Sequence, residues 1–196
     1  MSSTDYHLPL GIGIAEILPI GVLTSARNGI NICLKNYQEA FIVCRTIHGA
    51  HTSAEVFTLA QSTAAAGSAG GMSEKALTNN VEDWYYCNDF GLTEDGGQDV
   101  AWTAGTAAKA WTTSTTQSKS KIAIFHIVPE QVLDLANGFD CITVNTTGSN
   151  SAHYGEVLAI LLPRYKPPLS VTIDNPADIS YSLSTSASES ASASAS

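Results

Sequence analysis

The sequence is poor in charged residues, and positively charged ones are especially scarce. Asp, Glu, Lys and Arg make up 14% of the 196 residues, against roughly a quarter in a typical soluble domain. Nine Lys and Arg face eighteen Asp and Glu, which gives a net charge of −9. Binding to nucleic acid or to an anionic membrane depends on clustered basic side chains. No two basic residues are adjacent here, so the sequence predicts neither partner.

Long uninterrupted apolar runs are also missing. The longest apolar stretch, Leu8–Leu23, is broken by Pro9, Glu16 and Pro19, whereas a membrane-spanning helix needs about twenty mostly apolar residues. Residues 1–7 contain no Lys or Arg, so the positively charged start of a secretory signal is absent. We therefore expect a soluble chain without an export signal.

The four cysteines do not form a metal-binding pattern. None lies in a CxxC pair, and none has a histidine at zinc-finger spacing, so the sequence predicts no structural zinc site. Three of the four lie within apolar runs, where a free cysteine behaves as a small hydrophobic residue. Buried, reduced thiols are the favoured interpretation, and a Cys33–Cys44 disulfide across a hairpin is the alternative.

Short runs rich in β-branched and aromatic residues, separated by turn residues, predict an all-β fold. Their number and spacing favour a β-sandwich or jelly roll. The only predicted helix is Pro129–Leu135, with proline at its first position. The predicted strands are two within Asn31–Ile47, then Glu55–Ala60, Trp84–Cys87, Val100–Thr103, Ala110–Thr113, Lys121–Val128, Phe139–Asn145, Gly155–Leu162 and Leu169–Ile173.

The two ends differ in composition from the middle. Residues 1–25 show no clear alternation and predict an extended N-terminal arm, while residues 26–165 predict the β-sandwich domain. Residues 166–196 begin with Lys-Pro-Pro and continue into a Ser/Ala-rich tail in which every even position from Ser180 onward is serine. Such a tail cannot bury enough surface to fold alone. Both ends are expected to contact neighbouring subunits.

An acidic segment is the strongest candidate for a metal site. Six carboxylates lie within eighteen residues without a basic residue among them, and flexible oxygen-rich loops suit calcium. Glu94, Asp95 and Asp99 are the calcium candidates, although a solvated acidic surface is the favoured interpretation. The six are Glu82, Asp83, Asp89, Glu94, Asp95 and Asp99.

Known catalytic motifs are absent from the sequence. It has neither a G-x-S-x-G elbow nor an H-E-x-x-H zinc motif. His48 and His51 are interpreted as exposed loop residues. The aromatic residues, Trp84, Tyr85 and Trp102 among them, are interpreted mainly as core or interface groups. No catalytic residue and no cofactor are predicted.

Two segments resemble small head proteins of tailed bacteriophages, the capsid decoration or cement proteins. One runs from Lys121 to Tyr165 and contains the turn DLANGFD and a closing strand that ends in Arg-Tyr; the other is Leu59–Leu77. The resemblance implies a β-sandwich subunit, often trimeric, bound to the outside of a capsid shell. Its partner would be the major capsid protein, and its location the virion surface after synthesis in the host cytoplasm.

Two alternatives remain open at this point. A tail or fibre-tip protein would bind host glycans through Trp84, Tyr85 or Trp102. A hydrolase would use a carboxylate pair from the acidic segment, such as Asp95 and Asp99.

Overall fold

In a computed structural model of the chain, residues 12–49, 52–64, 73–88, 101–115, 119–148 and 150–164 are described. Strands hold 59% of these residues and helices 6%, so the predicted all-β class is confirmed. The strands form two antiparallel sheets. None of the helices in these ranges is long and apolar enough to cross a membrane.

Sheet A has the strand order β1-β12-β4-β10-β7-β8. Its three central strands, β12, β4 and β10, are long and rich in β-branched and aromatic residues, which suit a pleated, buried surface. The strands of sheet A are β1 (Gly13–Leu23), β4 (Tyr37–Ile47), β7 (Trp84–Cys87), β8 (Thr103–Ala104), β10 (Ser120–Ile127) and β12 (Asn150–Pro163).

Sheet B is built around the pair β11 and β5. The short strands β2 and β3 pair with β11, and β6 and β9 pair with β5. The strands of sheet B are β2 (Arg27–Asn28), β3 (Ile32–Cys33), β5 (Val56–Ser62), β6 (Glu74–Ala76), β9 (Ala110–Thr112) and β11 (Cys141–Thr146).

One hydrophobic core lies between the two sheets. In sheet B, Phe57 stacks on Trp111 with ring centroids 5.5 Å apart, and in sheet A, Trp84 stacks on Phe125 at 4.8 Å. All four rings belong to a single buried cluster. Stacked aromatic pairs add packing energy to the area that they bury. The two sheets therefore form a sandwich, as predicted.

The predicted N-terminal arm is wrong for residues 13–23. These residues are β1, which pairs along its length with β12 of the same chain, from Gly13 opposite Leu161 to Leu23 opposite Asn150. Ile17, Leu18 and Leu23 are buried. The sandwich therefore begins at β1, and residues 1–11 and 165–196 lie outside the described residues.

Two further elements differ from the prediction. The helix is only Pro129–Val132 (α1), followed by a 3-10 turn at Leu135–Asn137. Helix α1 ends at Val132 because Leu133 has an extended backbone and the amide of Asp134 donates to Gln61 Oε1 at 2.7 Å. Glu74–Ala76, which was not expected to be a strand, pairs with the end of β5 as β6. The predicted strand Leu169–Ile173 lies outside the described residues.

Candidate functional site

The outer face of sheet A is unusually apolar. On β4, Ala40, Ile42 and Cys44 are fully buried against sheet B, so the alternating residues between them point away from the core. Most of these outward residues, and their cross-strand neighbours, are hydrophobic. We call this surface the outer face of sheet A; its apolar residues are Ile14, Ile20, Val22, Phe41, Val43, Ile47, Ile122, Ile124, Tyr154, Leu158, Ile160 and Leu162.

The edge of this face near β1 is the most exposed part of it. Tyr154 lies opposite both Val22 and Ile47, so the three side chains form a row across β1, β12 and β4. Ile47 is 40% exposed and Tyr154 46%. Together with Ile20 they line a shallow depression. Apolar groups that remain in contact with water over several adjacent strands mark an interaction surface.

Few charged groups interrupt the outer face. Arg45 pairs with Glu156 at 3.0 Å, next to the depression. His126 stacks on Phe41 at 4.8 Å and lies 3.2 Å from both Glu39 and Asp83. Glu16 on β1, opposite Leu158, is a further exposed carboxylate on this face. The other polar groups contact each other, which leaves most of the surface suited to an apolar partner.

The opposite edge of sheet A carries exposed aromatic residues. Tyr85 on β7 is 48% exposed, and Trp102, just before β8, is 43% exposed. Trp84, by contrast, is buried, and its indole N–H donates to the Thr106 carbonyl at 2.9 Å. Of the three predicted glycan-binding aromatics, Trp84 is therefore a core residue, and only the other two are accessible.

A cluster of buried polar side chains joins the two sheets at one end of the sandwich. Lys121 Nζ lies 3.0 Å from His48 Nδ1, and His48 Nε2 lies 3.2 Å from Thr113 Oγ1. Because lysine can only donate, Nδ1 of His48 is the acceptor and Nε2 carries the proton. The imidazole of His48 stacks on His153 at 4.0 Å, and His153 Nδ1 contacts Glu55 Oε1 at 3.1 Å.

Burial controls the protonation of this cluster. Burial, and then the charges of Lys121 and His153, lower the pKa of His48 to about 4. Burial also lowers the pKa of Lys121 to about 8. All five side chains are at most 3% exposed, so the cluster is enclosed within the sandwich. The prediction that His48 is an exposed loop residue is wrong, and His51 lies outside the described residues.

The four cysteines are free thiols. Cys44 is in sheet A and Cys33 in sheet B, so the alternative of a Cys33–Cys44 disulfide is wrong. Instead, Cys33 lies directly opposite Cys141 across β3 and β11. Their sulfurs and a carboxylate oxygen of Asp140 all lie within 4.8 Å of one another. This cluster was missed in the sequence because its members come from strands that are distant in the chain.

The predicted calcium candidates Glu94, Asp95 and Asp99 lie outside the described residues. Of the same acidic segment, Glu82 and Asp83 are described, and both are exposed. Asp83 contacts His126, and its backbone carbonyl accepts from the His126 amide at 3.0 Å. The only described grouping of three potential metal ligands is therefore the cysteine cluster.

Comparisons with known proteins identify no family. No family model matches the chain, and no curated protein matches it. A solved structure titled turnip yellow mosaic virus aligns at 6% identity over 87% of this chain and 90% of that chain, with a TM-score of 0.14. A score this low carries no argument about fold or function.

Proposed function

We propose that this protein is a non-enzymatic virion structural protein that binds the outside of a phage capsid shell and stabilises it. The observation that carries the proposal is the apolar outer face of sheet A. A sheet that is hydrophobic on both faces is covered on both faces in its working state, and sheet B covers only the inner one.

The partner proposed for this face is the major capsid protein. Attachment to a shell is a large, permanent contact, and permanent interfaces are more hydrophobic than transient ones. The chain's net charge of −9 suits the outside of the shell, away from the packaged nucleic acid. The resemblance of Lys121–Tyr165 and Leu59–Leu77 to decoration proteins supports the same role.

The subunits are proposed to act as a homotrimer on the virion surface. Capsid lattices present local three-fold sites, and a trimer that matches this symmetry makes each contact three times. Synthesis takes place in the host cytoplasm, and the protein adds to the shell there. No cofactor is part of this function.

The test is cosedimentation of the purified full chain with capsid shells that lack it. Ile47→Asp and Tyr154→Asp each place a charge in the exposed row of the outer face, and we expect at least about tenfold weaker binding, since burying an unpaired charge is costly. Thr58→Asp is the matched control, because Thr58 is exposed on β5 of sheet B and the variant adds the same charge on the other side of the sandwich. Circular dichroism verifies that each variant is folded.

Equal binding by all three variants would overturn the assignment of this face. Loss of binding in Thr58→Asp alone would place attachment on the outer side of sheet B instead.

A second candidate function is glycan binding by a tail or fibre-tip protein. It is favoured by Tyr85 and Trp102, whose exposed rings offer surfaces for sugar stacking. Antibody labelling of intact virions separates the two functions, because a decoration protein marks the head and a tip protein marks the end of the tail. Under this alternative, Tyr85→Ala abolishes binding to host cells while Tyr154→Asp does not.

A further inference from the structure

The cysteine cluster lies on the outer face of sheet B, on the other side of the sandwich from the proposed capsid contact. On β11, Ile142 and Val144 point into the core and are fully buried. Cys141 therefore points outward, as does Cys33, its partner on β3. The cluster is independent of the outer face of sheet A and of the proposed function.

The backbone holds the two sulfurs close together. The amide of Leu34 donates to the carbonyl of Asp140 at 2.8 Å. Leu34 and Asp140 are therefore a hydrogen-bonded pair of the antiparallel ladder. Cys33 and Cys141, one step along, are then a non-hydrogen-bonded pair, the position where antiparallel side chains approach most closely. Two thiols are thereby held side by side by the sheet itself.

Asp140 adds an oxygen to the two sulfurs. The thiol of Cys141 donates to Asp140 Oδ1 at 3.3 Å. The thiolate is the form of cysteine that binds metals, so these three side chains together offer two sulfurs and one oxygen as ligands.

We propose that Cys33, Cys141 and Asp140 bind a thiophilic divalent cation of the zinc class, with both sulfurs as thiolates and the carboxylate as third ligand. Zinc takes sulfur at about 2.3 Å and oxygen at about 2.0–2.2 Å in a tetrahedral arrangement, which separates ligand atoms by roughly 3.3–3.8 Å. Donor atoms within 4.8 Å of one another reach that spacing through small side-chain rotations.

The site is open enough to fill from solution. Cys33 is partly exposed, whereas Cys141 is buried, so an ion enters from the side of Cys33 and a water completes the four ligands. Binding releases the remaining thiol protons to solvent. The ion would add a side-chain link between β3 and β11, since β3 is only two residues long.

The experiment is a titration of the full, reduced chain with Co²⁺, followed by displacement with Zn²⁺. We expect one Co²⁺ per chain, a thiolate-to-cobalt charge-transfer band, and loss of that band when Zn²⁺ is added. Cys33→Ser and Cys141→Ser should each bind at least about 100-fold more weakly, since they remove a ligand and even outer-shell changes cost 10–100-fold. Asp140→Asn should weaken binding and keep the band.

Cys87→Ser is the matched control, because Cys87 is a buried free thiol on β7 of the other sheet; its titration should equal that of the unaltered chain. Circular dichroism without metal shows whether each variant is folded. Cobalt binding without a thiolate band, or an unchanged affinity in folded Cys33→Ser, would overturn the proposal. So would a reduced chain that binds no metal and merely forms a Cys33–Cys141 disulfide on oxidation.

Discussion

His48 shows how one residue gains a role that its sequence neighbours do not reveal. It follows β4, where it was expected to lie in an exposed turn, yet it is 1% exposed. Its ring bridges Lys121 of sheet A and Thr113, which follows β9 of sheet B. A buried polar group is tolerated only when it is hydrogen-bonded, and this ring has a partner at each nitrogen. The cluster therefore ties the two sheets together through polar contacts.

Protonation of His48 should make the protein acid-sensitive. The unfolded chain takes up this proton near pH 6.5 and the folded chain only near pH 4. Between these values the unfolded state binds more protons, so the free energy of unfolding falls as the pH falls. A shift of this size corresponds to roughly 3 kcal/mol. Urea unfolding at several pH values between 4 and 7 measures this change in the free energy of unfolding.

The variant His48→Asn should lower the stability at pH 7 and flatten this pH dependence. His126→Asn is the control, because His126 lies on the outer face of sheet A rather than in the buried cluster. A slope in His48→Asn equal to that of the unaltered chain would contradict the assignment.

Among the elements, β1 is the strand that differs most from the prediction, because residues 1–25 were expected to form an extended arm. Pro19 and the lack of alternation argued against a strand, because proline cannot donate to a sheet ladder. In the structure the register shifts between Leu18 and Gly21, next to this proline, and β1 is an edge strand of sheet A. Arg27 Nη2 donates to the Pro19 carbonyl at 2.7 Å. An irregular edge is where a sheet can accept proline.

Two N-terminal deletions should separate β1 from the residues before it. Removal of residues 1–11 should leave the free energy of unfolding nearly unchanged. Removal of residues 1–23 should lower it by roughly 5 kcal/mol or more, because Ile17, Leu18 and Leu23 each contribute about 1.5–3 kcal/mol of burial. Urea denaturation of both proteins tests this. Similar stability in the two would show that β1 is not part of the fold.

At the scale of the whole molecule, the two sheets have unequal surroundings. The strands β4, β10 and β12 contain the continuous apolar runs Ala40–Cys44, Ile122–Phe125 and Val157–Leu162, which are typical of strands covered on both faces. On β5 of sheet B, the residues that alternate with the buried Phe57 and Leu59 are small or polar instead: Thr58 is exposed, and Ala60 and Ser62 are buried. This asymmetry is why sheet A, and not sheet B, is the proposed contact with the capsid.

The Ser/Ala-rich end should be dispensable for folding. Ser and Ala bury little apolar surface, so a chain of residues 1–164 should melt within about 2 °C of the full chain, less than the shift that 1 kcal/mol produces. Removal of residues 150–196 is the contrasting variant, because it takes away β12, which lies between β1 and β4. Differential scanning calorimetry compares the three. A large loss of stability in the 1–164 chain would show that the end contributes to the core.

The sequence by itself determined the all-β class, the two-sheet sandwich and most of the strands. Strand signals are local: β-branched and aromatic runs such as those of β4 and β10 favour a pleat whatever they later pair with. It also indicated the apolar character of those strands, although not which of their faces would remain uncovered.

Only the tertiary structure decided what depends on pairing between distant segments. Residues 13–23, expected to be part of an arm, form β1 because their backbone pairs with the edge of β12. The tertiary structure enclosed His48, Lys121 and Glu55 in one polar cluster, and it placed Cys33 opposite Cys141 beside Asp140. Register brings such residues together through hydrogen bonds between strands, and those bonds form between backbone groups that are the same in every residue except proline. The local sequence therefore does not show which side chains from distant strands become neighbours in the folded protein.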